Sequence, residues 1–179
     1  MSTQELELLR YPVGRFNKVS LLNPSERKEM IQVIEDHPSK LRRAVNNLSE
    51  EQLDTPYRPE GWTVRQVVHH VVDSHLNSYI RFKWTLTENQ PLIKTYNQTA
   101  WAELPEAKSG PIDMSLIMLE GLHRRWVHVL KNMSGEDFQA KLEHPEWGLI
   151  PLDTMLALYE WHCRHHLRHI TALKEKMGW

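Results

Sequence analysis

Apolar residues recur at steps of three and four along most of the chain, and this period divides it into four helical segments joined by polar connections. The first opens at Asn23-Pro24-Ser25-Glu26, where asparagine can cap, proline suits the first helical position and Glu26 can bond back to the cap. It is expected to run to about Asn47, with a kink or break near His37, because Pro38 removes a backbone donor and crowds the preceding turn. The second opens at the capping box Thr63-Val64-Arg65-Gln66 and continues to about Thr87, with Val64, Val68, Val71, Tyr79, Phe82 and Leu86 as its stripe. The third, from about Ile112 to Met133, aligns Leu116, Leu119, Leu122, Trp126, Val129 and Met133. The fourth follows Pro151 and ends at Gly178, a good helix terminator. Its face carries Leu152, Met155, Tyr159, His162, His166, Ile170, Leu173 and Met177.

Four amphipathic helices predict an all-α fold, a four-helix bundle, with residues 1–179 in a single domain and residues 1–22 as an extended N-terminal segment. About 24 residues with several prolines separate the second and third helices, a long crossover of the kind that often borders a site. The seven glycines leave little material for tight hairpins, which argues against an all-β chain.

Charge narrows the function classes. The 22 basic and 23 acidic residues are interspersed and sum to −1, so the basic footprint of a nucleic-acid binder is missing. The start MSTQELELLR has no apolar signal core, and no run of about 18 apolar residues occurs, so a cytoplasmic protein without a membrane partner is expected. The lone Cys163 excludes an internal disulfide and reads as a small core residue.

Histidine is the compositional anomaly: there are eleven, and four lie between His162 and His169. His162 and His166 are one helical turn apart on the apolar face, so both imidazoles can reach one ion. His165 and His169 share that spacing, but His165 points away, beside Trp161 and Arg168. A zinc, nickel or iron ion needs a further ligand from a facing helix. The second helix offers His75 on its stripe, His70 on one flank and His69 pointing outward, and phase alone leaves His70 and His75 both open. The plain alternative for each is a core or surface histidine satisfied by hydrogen bonds.

Longer strings then carry a resemblance: Leu53-Asp54-Thr55-Pro56-Tyr57-Arg58, Gly61-Trp62-Thr63-Val64-Arg65-Gln66-Val67-Val68-His69-His70, Asp73-Ser74-His75, and Asn77-Ser78-Tyr79-Ile80-Arg81-Phe82-Lys83. At the C-terminus Trp161-His162, His165-His166, His169-Ile170 and Met177-Gly178-Trp179 continue it. The chain resembles the DinB/YfiT-like family over most of its length, the YfiT branch most closely. The resemblance implies a four-helix bundle holding one divalent ion, with His70 as the ligand from the second helix and His162 and His166 as the pair from the fourth. It implies a homodimer as well, with which outward Trp84 and Trp126 are compatible. His169, where many DinB-like relatives carry an amide, is a further candidate for a fourth ligand or a supporting contact.

Three neutral imidazoles leave an ion such as zinc, or nickel, its full charge and an open position where water can ionise near pH 7. That chemistry makes a metal-dependent hydrolase the leading expectation. The same position can ionise a thiol, and the resemblance also implies an S-transferase acting with a low-molecular-weight thiol such as bacillithiol. A non-catalytic metal-binding module is the third reading. Asp73 and Glu160 are the carboxylates nearest the ligands in sequence, each with the alternative of a solvated or supporting charge. Trp84, Tyr96 and Trp101 are candidate pocket walls, while Asn77 and Arg81, on a face similar to that of His70, are candidates for contact with a polar substrate, with solvent or a subunit contact as the favoured role for each. No G-x-S-x-G or H-E-x-x-H motif occurs.

Overall fold

The computed structural model describes residues 2–179. Four long helices form the bundle: α2 (Pro24–Val45), α4 (Val64–Thr87), α7 (Ile112–Lys131) and α8 (Leu152–Met177). Four short ones join them: α1 (Thr3–Arg10), α3 (Glu50–Leu53), α5 (Gln98–Ala102) and α6 (Pro105–Ser109). The capping boxes at Asn23 and Thr63 form as expected, and Gly178 ends α8 in the left-handed conformation at φ 72°.

Three expectations need correction. Residues 1–22 are not simply extended, because Ser2 and Glu5 form a reciprocal capping box that starts α1. Glycine content did not prevent a hairpin: β1 (Lys141–His144) pairs antiparallel with β2 (Gly148–Pro151), in register from Lys141↔Pro151 to His144↔Gly148. Gly148 turns that hairpin with φ 67°. Pro38 does not break α2, which runs continuously from Pro24 to Val45. The helical donor that Pro38 lacks would have bonded the Ile34 carbonyl, and that carbonyl instead accepts a hydrogen bond from His123 Nδ1 at 2.7 Å.

Around the bundle, α2 packs on α7 and α8, and α4 packs on the same two helices. Consecutive long helices α2 and α4 therefore sit on a diagonal, as do α7 and α8. Such connections must cross an end of the bundle, so they are long; the one before α8 carries the hairpin. The α4–α7 crossover folds into α5 and α6, which lie against α4.

The core has three tiers. At one end, aliphatic residues of all four helices pack together, including Leu41, Val64, Val67, Val68, Leu119 and Ile170. At the other, Ile34, Phe82, Trp126, Leu130, Met155 and Tyr159 form a larger, aromatic-rich cluster. Trp126 is fully buried there, so it is not an outward dimer contact, whereas Trp84 is 40% exposed. Between the tiers every long helix contributes histidine: His37 from α2, His70 and His75 from α4, His123 from α7, and His162 and His166 from α8. The N-terminal segment straps the outside of α8. Leu22 N–H and the Arg27 guanidinium both bond the buried Asp153 carboxylate, and Trp161 Nε1 donates to the Gly14 carbonyl at 2.9 Å.

Candidate metal centre

Adjacent packing of α4 and α8 brings His70 together with His162 and His166. One ring nitrogen from each lies within 4.8 Å of the other two. Ring centroids are 5.3 Å apart for His70–His162, 4.8 Å for His70–His166 and 4.4 Å for His162–His166. All three face a cavity of about 510 Å³, walled by Trp62 at the entry to α4, Tyr159 on α8 and Trp147 at the hairpin tip. Trp62 packs on His70 with centroids 4.6 Å apart.

Burial disfavours the charged form of each ring. It drives the His70 pKa down to about 3, and those of His162 and His166 well below the usual histidine value, with neighbouring histidines adding to the effect. The set is therefore three neutral imidazoles, the protonation state in which histidine offers a lone pair to an ion. Among the described residues His166 Nδ1 is buried without a hydrogen-bond partner, as expected of a donor set meant for something other than protein. These observations fit a divalent ion.

Behind His162 runs a chain of imidazoles. His162 Nδ1 lies 3.0 Å from His75 Nε2, and His75 Nδ1 lies 2.7 Å from His123 Nε2. The chain ends where His123 Nδ1 meets the Ile34 carbonyl freed by Pro38. A carbonyl only accepts, so His123 Nδ1 carries the proton and its Nε2 must accept. Neutral His75 then donates through Nδ1 and accepts through Nε2, and His162 donates through Nδ1. The direction is set link by link, and His162 is left with its Nε2 lone pair facing the cavity. Burial keeps the links neutral, holding His123 at about 4 and His75 well below its ordinary value. His75 is thus absorbed into this chain, which separates it from His70.

The remaining histidines depart from their wheel positions. His69 is not solvent-facing: it is 5% exposed, with Nδ1 2.7 Å from Ser115 Oγ and Nε2 3.2 Å from the Gly110 carbonyl, because α6 and α7 cover that side. His165 is also buried, stacked on Trp161 at 4.3 Å and met by Tyr11 of the N-terminal segment. It lines the same cavity and groups with His166 and His169 as a second set of neighbouring nitrogens. His169 Nε2 donates to the Arg10 carbonyl at 3.2 Å, and its ring stacks on Tyr57 at 4.0 Å, so one of its nitrogens is engaged with the strap. A third group, His37, His75 and Cys163, lies in the buried core, where burial pushes the Cys163 thiol well up.

Asp73 and Glu160 are missing from the described residues that line the cavity. The Asp73 carboxyl is pushed up to about 6 by burial and by Glu106, while Glu160 is held bidentately by Arg164 at 2.6 and 2.9 Å. Tyr96 is a wall of the cavity, as expected, whereas Trp84 and Trp101 are not among its described lining residues; the Trp101 ring is tilted at 45° against Tyr96, with centroids 4.5 Å apart. Arg81 departs from its expected solvent role, being 7% exposed and part of the cavity wall, and Asn77 donates to the Asp73 carbonyl on its own helix.

Comparison with known proteins gives three concordant results. The family model described as the DinB superfamily matches residues 34–170. A Bacillus mycoides (strain KBAB4) protein named "Putative metal-dependent hydrolase" is 52% identical over 171 residues, 96% of this chain and 98% of its own. Proteins of that name from Bacillus cereus (strain 03BB102) and Bacillus anthracis (strain A0248) match with the same identity and coverage. The solved structure of YfiT from Bacillus subtilis, described as a probable metal-dependent hydrolase with an unusual four-helix bundle topology, matches with a TM-score of 0.93. It shares 45% sequence identity and covers 96% of this chain and 99% of its own.

Proposed function

This chain belongs to the DinB superfamily, and on that premise we propose that it is a metal-dependent hydrolase whose single divalent ion is held by His70, His162 and His166. The observation that carries this reading is the meeting of three neutral imidazoles from two helices within 4.8 Å on the wall of a substrate-sized cavity. Three imidazoles suit zinc first and nickel next. When bound, such an ion supplies Lewis acidity and a water acidic enough to ionise near pH 7.

The chain's own residues prepare that chemistry. Burial keeps protons off the three rings at neutral pH, so no ligand must be deprotonated for binding. The His75–His123–Ile34 chain holds His162 in one tautomer and one orientation. Trp62 and Tyr159 shield the rings from bulk water, and the Tyr159 hydroxyl, donating to the Ser74 carbonyl at 3.0 Å, clamps α8 to α4. Among the described residues no helix is long and apolar enough to cross a membrane. A homodimer belongs to the same proposal, with a second copy of the chain as partner, and light scattering on the purified protein tests it.

The enzymatic reading is tested by elemental analysis and a hydrolysis screen on ester and amide substrates, before and after chelation and with zinc or nickel restored. One equivalent of metal, and turnover that follows it, supports the assignment. Unchanged stoichiometry in His70→Ala, His162→Ala and His166→Ala would defeat it. Product that forms only when a low-molecular-weight thiol is added moves the reaction to S-transfer.

A further inference from the structure

Among the described residues Arg81 is a buried cation without a counter-ion. The other two deeply placed arginines show what the fold does with such a charge: Arg27 is paired with Asp153, and Arg65 with Glu50 and Asp54. Arg81 is 7% exposed, yet among the described residues no carboxylate lies within 4.0 Å of it. Its Nη2 donates to the Lys94 carbonyl at 2.8 Å. A desolvated guanidinium that bonds only a neutral carbonyl is costly unless an anion completes it.

The surroundings of Arg81 are those of an anion seat. It lines the cavity that holds His70, His162 and His166, and so does Tyr96, whose buried hydroxyl has the Ser74 side chain beside it but no hydrogen bond of normal geometry among the described residues. Arg10 and Arg58 stand on the same wall, against Glu146 as the one carboxylate among its described lining residues. Arg58 is engaged with neutral oxygens only, the Tyr57 hydroxyl at 3.2 Å and the Pro59 carbonyl at 2.8 Å. A cavity whose lining carries three arginines, one carboxylate and a set of neutral imidazoles suits a ligand with an anionic part and a part that meets the histidines.

Resting on the metal-site reading and deepening it, we propose that the substrate carries a terminal anionic oxo group, a carboxylate or a phosphate, seated on Arg81 and Tyr96. Arg81 lies eleven residues beyond His70 on α4, which returns it to nearly the same face about 16 Å along the axis. Helical side chains lean toward the N-terminus, the direction in which His70 lies on α4, and the Arg81 guanidinium shares a cavity with it. The substrate therefore places several bonds between its anionic end and the bond to be cleaved.

The test is calorimetric titration of the wild-type chain with inorganic phosphate, glutarate and the uncharged isostere glutaramide, with metal content measured in each sample. Wild type binds at least one anion and not the amide. Arg81→Met weakens that binding about tenfold or more, Arg81→Lys less, and Tyr96→Phe about threefold. Tighter binding of phosphate than glutarate assigns a phosphate terminus, and the reverse assigns a carboxylate. His166→Ala isolates this site from the ion: it loses metal and keeps the Arg81-dependent anion affinity. If His166→Ala retains full metal, the metal assignment fails and the anion seat stands. Failure of wild type to bind either anion, or wild-type affinity in Arg81→Met, overturns the proposal. Should circular dichroism show Arg81→Met unfolded, unchanged affinity in both Arg81→Lys and Tyr96→Phe overturns it equally.

Discussion

His70 and His75 stand five residues apart on one helix, both buried and both held neutral, yet their ring nitrogens are engaged differently. Each nitrogen of His75 is bonded to another histidine, so the ring is a strut in a dry chain that crosses the bundle to α2. His70 instead faces a cavity, where its neighbours are the lone pairs of two further imidazoles. The histidine tier thus has a closed half built from His75 and His123 and an open half built from His70, His162 and His166; His37, packed beside His75 and His123, keeps a buried Nε2 without a hydrogen-bond partner among the described residues. Burial and residue type are common to both halves. What separates them is whether the protein itself satisfies the nitrogens, and His162, with one nitrogen on each side, joins the two.

Acid should act on both halves at once and produce the largest effect. A histidine whose folded pKa lies below its unfolded value of 6.5 contributes stability above pH 6.5, and that contribution is lost as pH falls, because the unfolded chain takes up the proton first. His37 and His70 lie at about 3 and His123 at about 4. The slope for each grows from half its limit at pH 6.5 toward that limit, about 1.4 kcal/mol per pH unit, at lower pH, so these three remove about 5 kcal/mol between pH 6.5 and 5, a large part of a domain's stability. Urea melts at pH 7, 6 and 5 should show this steep loss. Saturating zinc should move it to lower pH by protecting the open half alone, and a pH-independent midpoint would contradict the buried, neutral tier.

Removing an open-half ring comes next. His166→Ala should lower zinc affinity at least about 100-fold and abolish the rise in Tm that added zinc gives wild type. Removing a closed-half ring should be milder and different in kind. His75→Phe keeps one zinc per chain at saturation but weakens binding about 10- to 100-fold, because His162 loses the acceptor that fixes its tautomer. Equal behaviour of the two variants in a zinc titration would erase the distinction between the halves.

Pro38→Ala probes the far end of the chain. The restored N–H competes with His123 for the Ile34 carbonyl, and zinc affinity should fall about threefold while nitrogen-15 spectra show mixed His162 tautomers. The smallest effects belong to the carboxylates outside the cavity. Asp73→Asn and Glu160→Gln should change turnover by less than about threefold, far below the loss expected of a general acid or base.

Several parts of this picture were legible in the chain because their causes lie within one helical turn. The capping residues Asn23 and Thr63, the terminating Gly178 and the i,i+4 pair His162 and His166 are of this kind. Choosing His70 over His75 needed either the family resemblance or the structure, since both sit on inward or flanking positions of α4. The burial of His165 and His69 was hidden because the covering groups, Tyr11 in one case and α6 with Ser115 in the other, come from distant segments. For Arg81 the favoured solvent role failed for the same reason: its cavity is lined by the crossover and by the hairpin tip, neither of which has a helical period to read.

By itself, the sequence determined the four long helices, most of their boundaries and the inward pair on α8, all through hydrogen bonds and side-chain spacing confined to single turns. Only the tertiary structure decided what each histidine does, because a ring nitrogen is free or engaged according to groups that other helices bring to it. Pro38 shows the difference plainly: the local rule reads it as a kink or break in α2, whereas the packed bundle keeps the helix continuous and places His123 on the carbonyl that Pro38 leaves open.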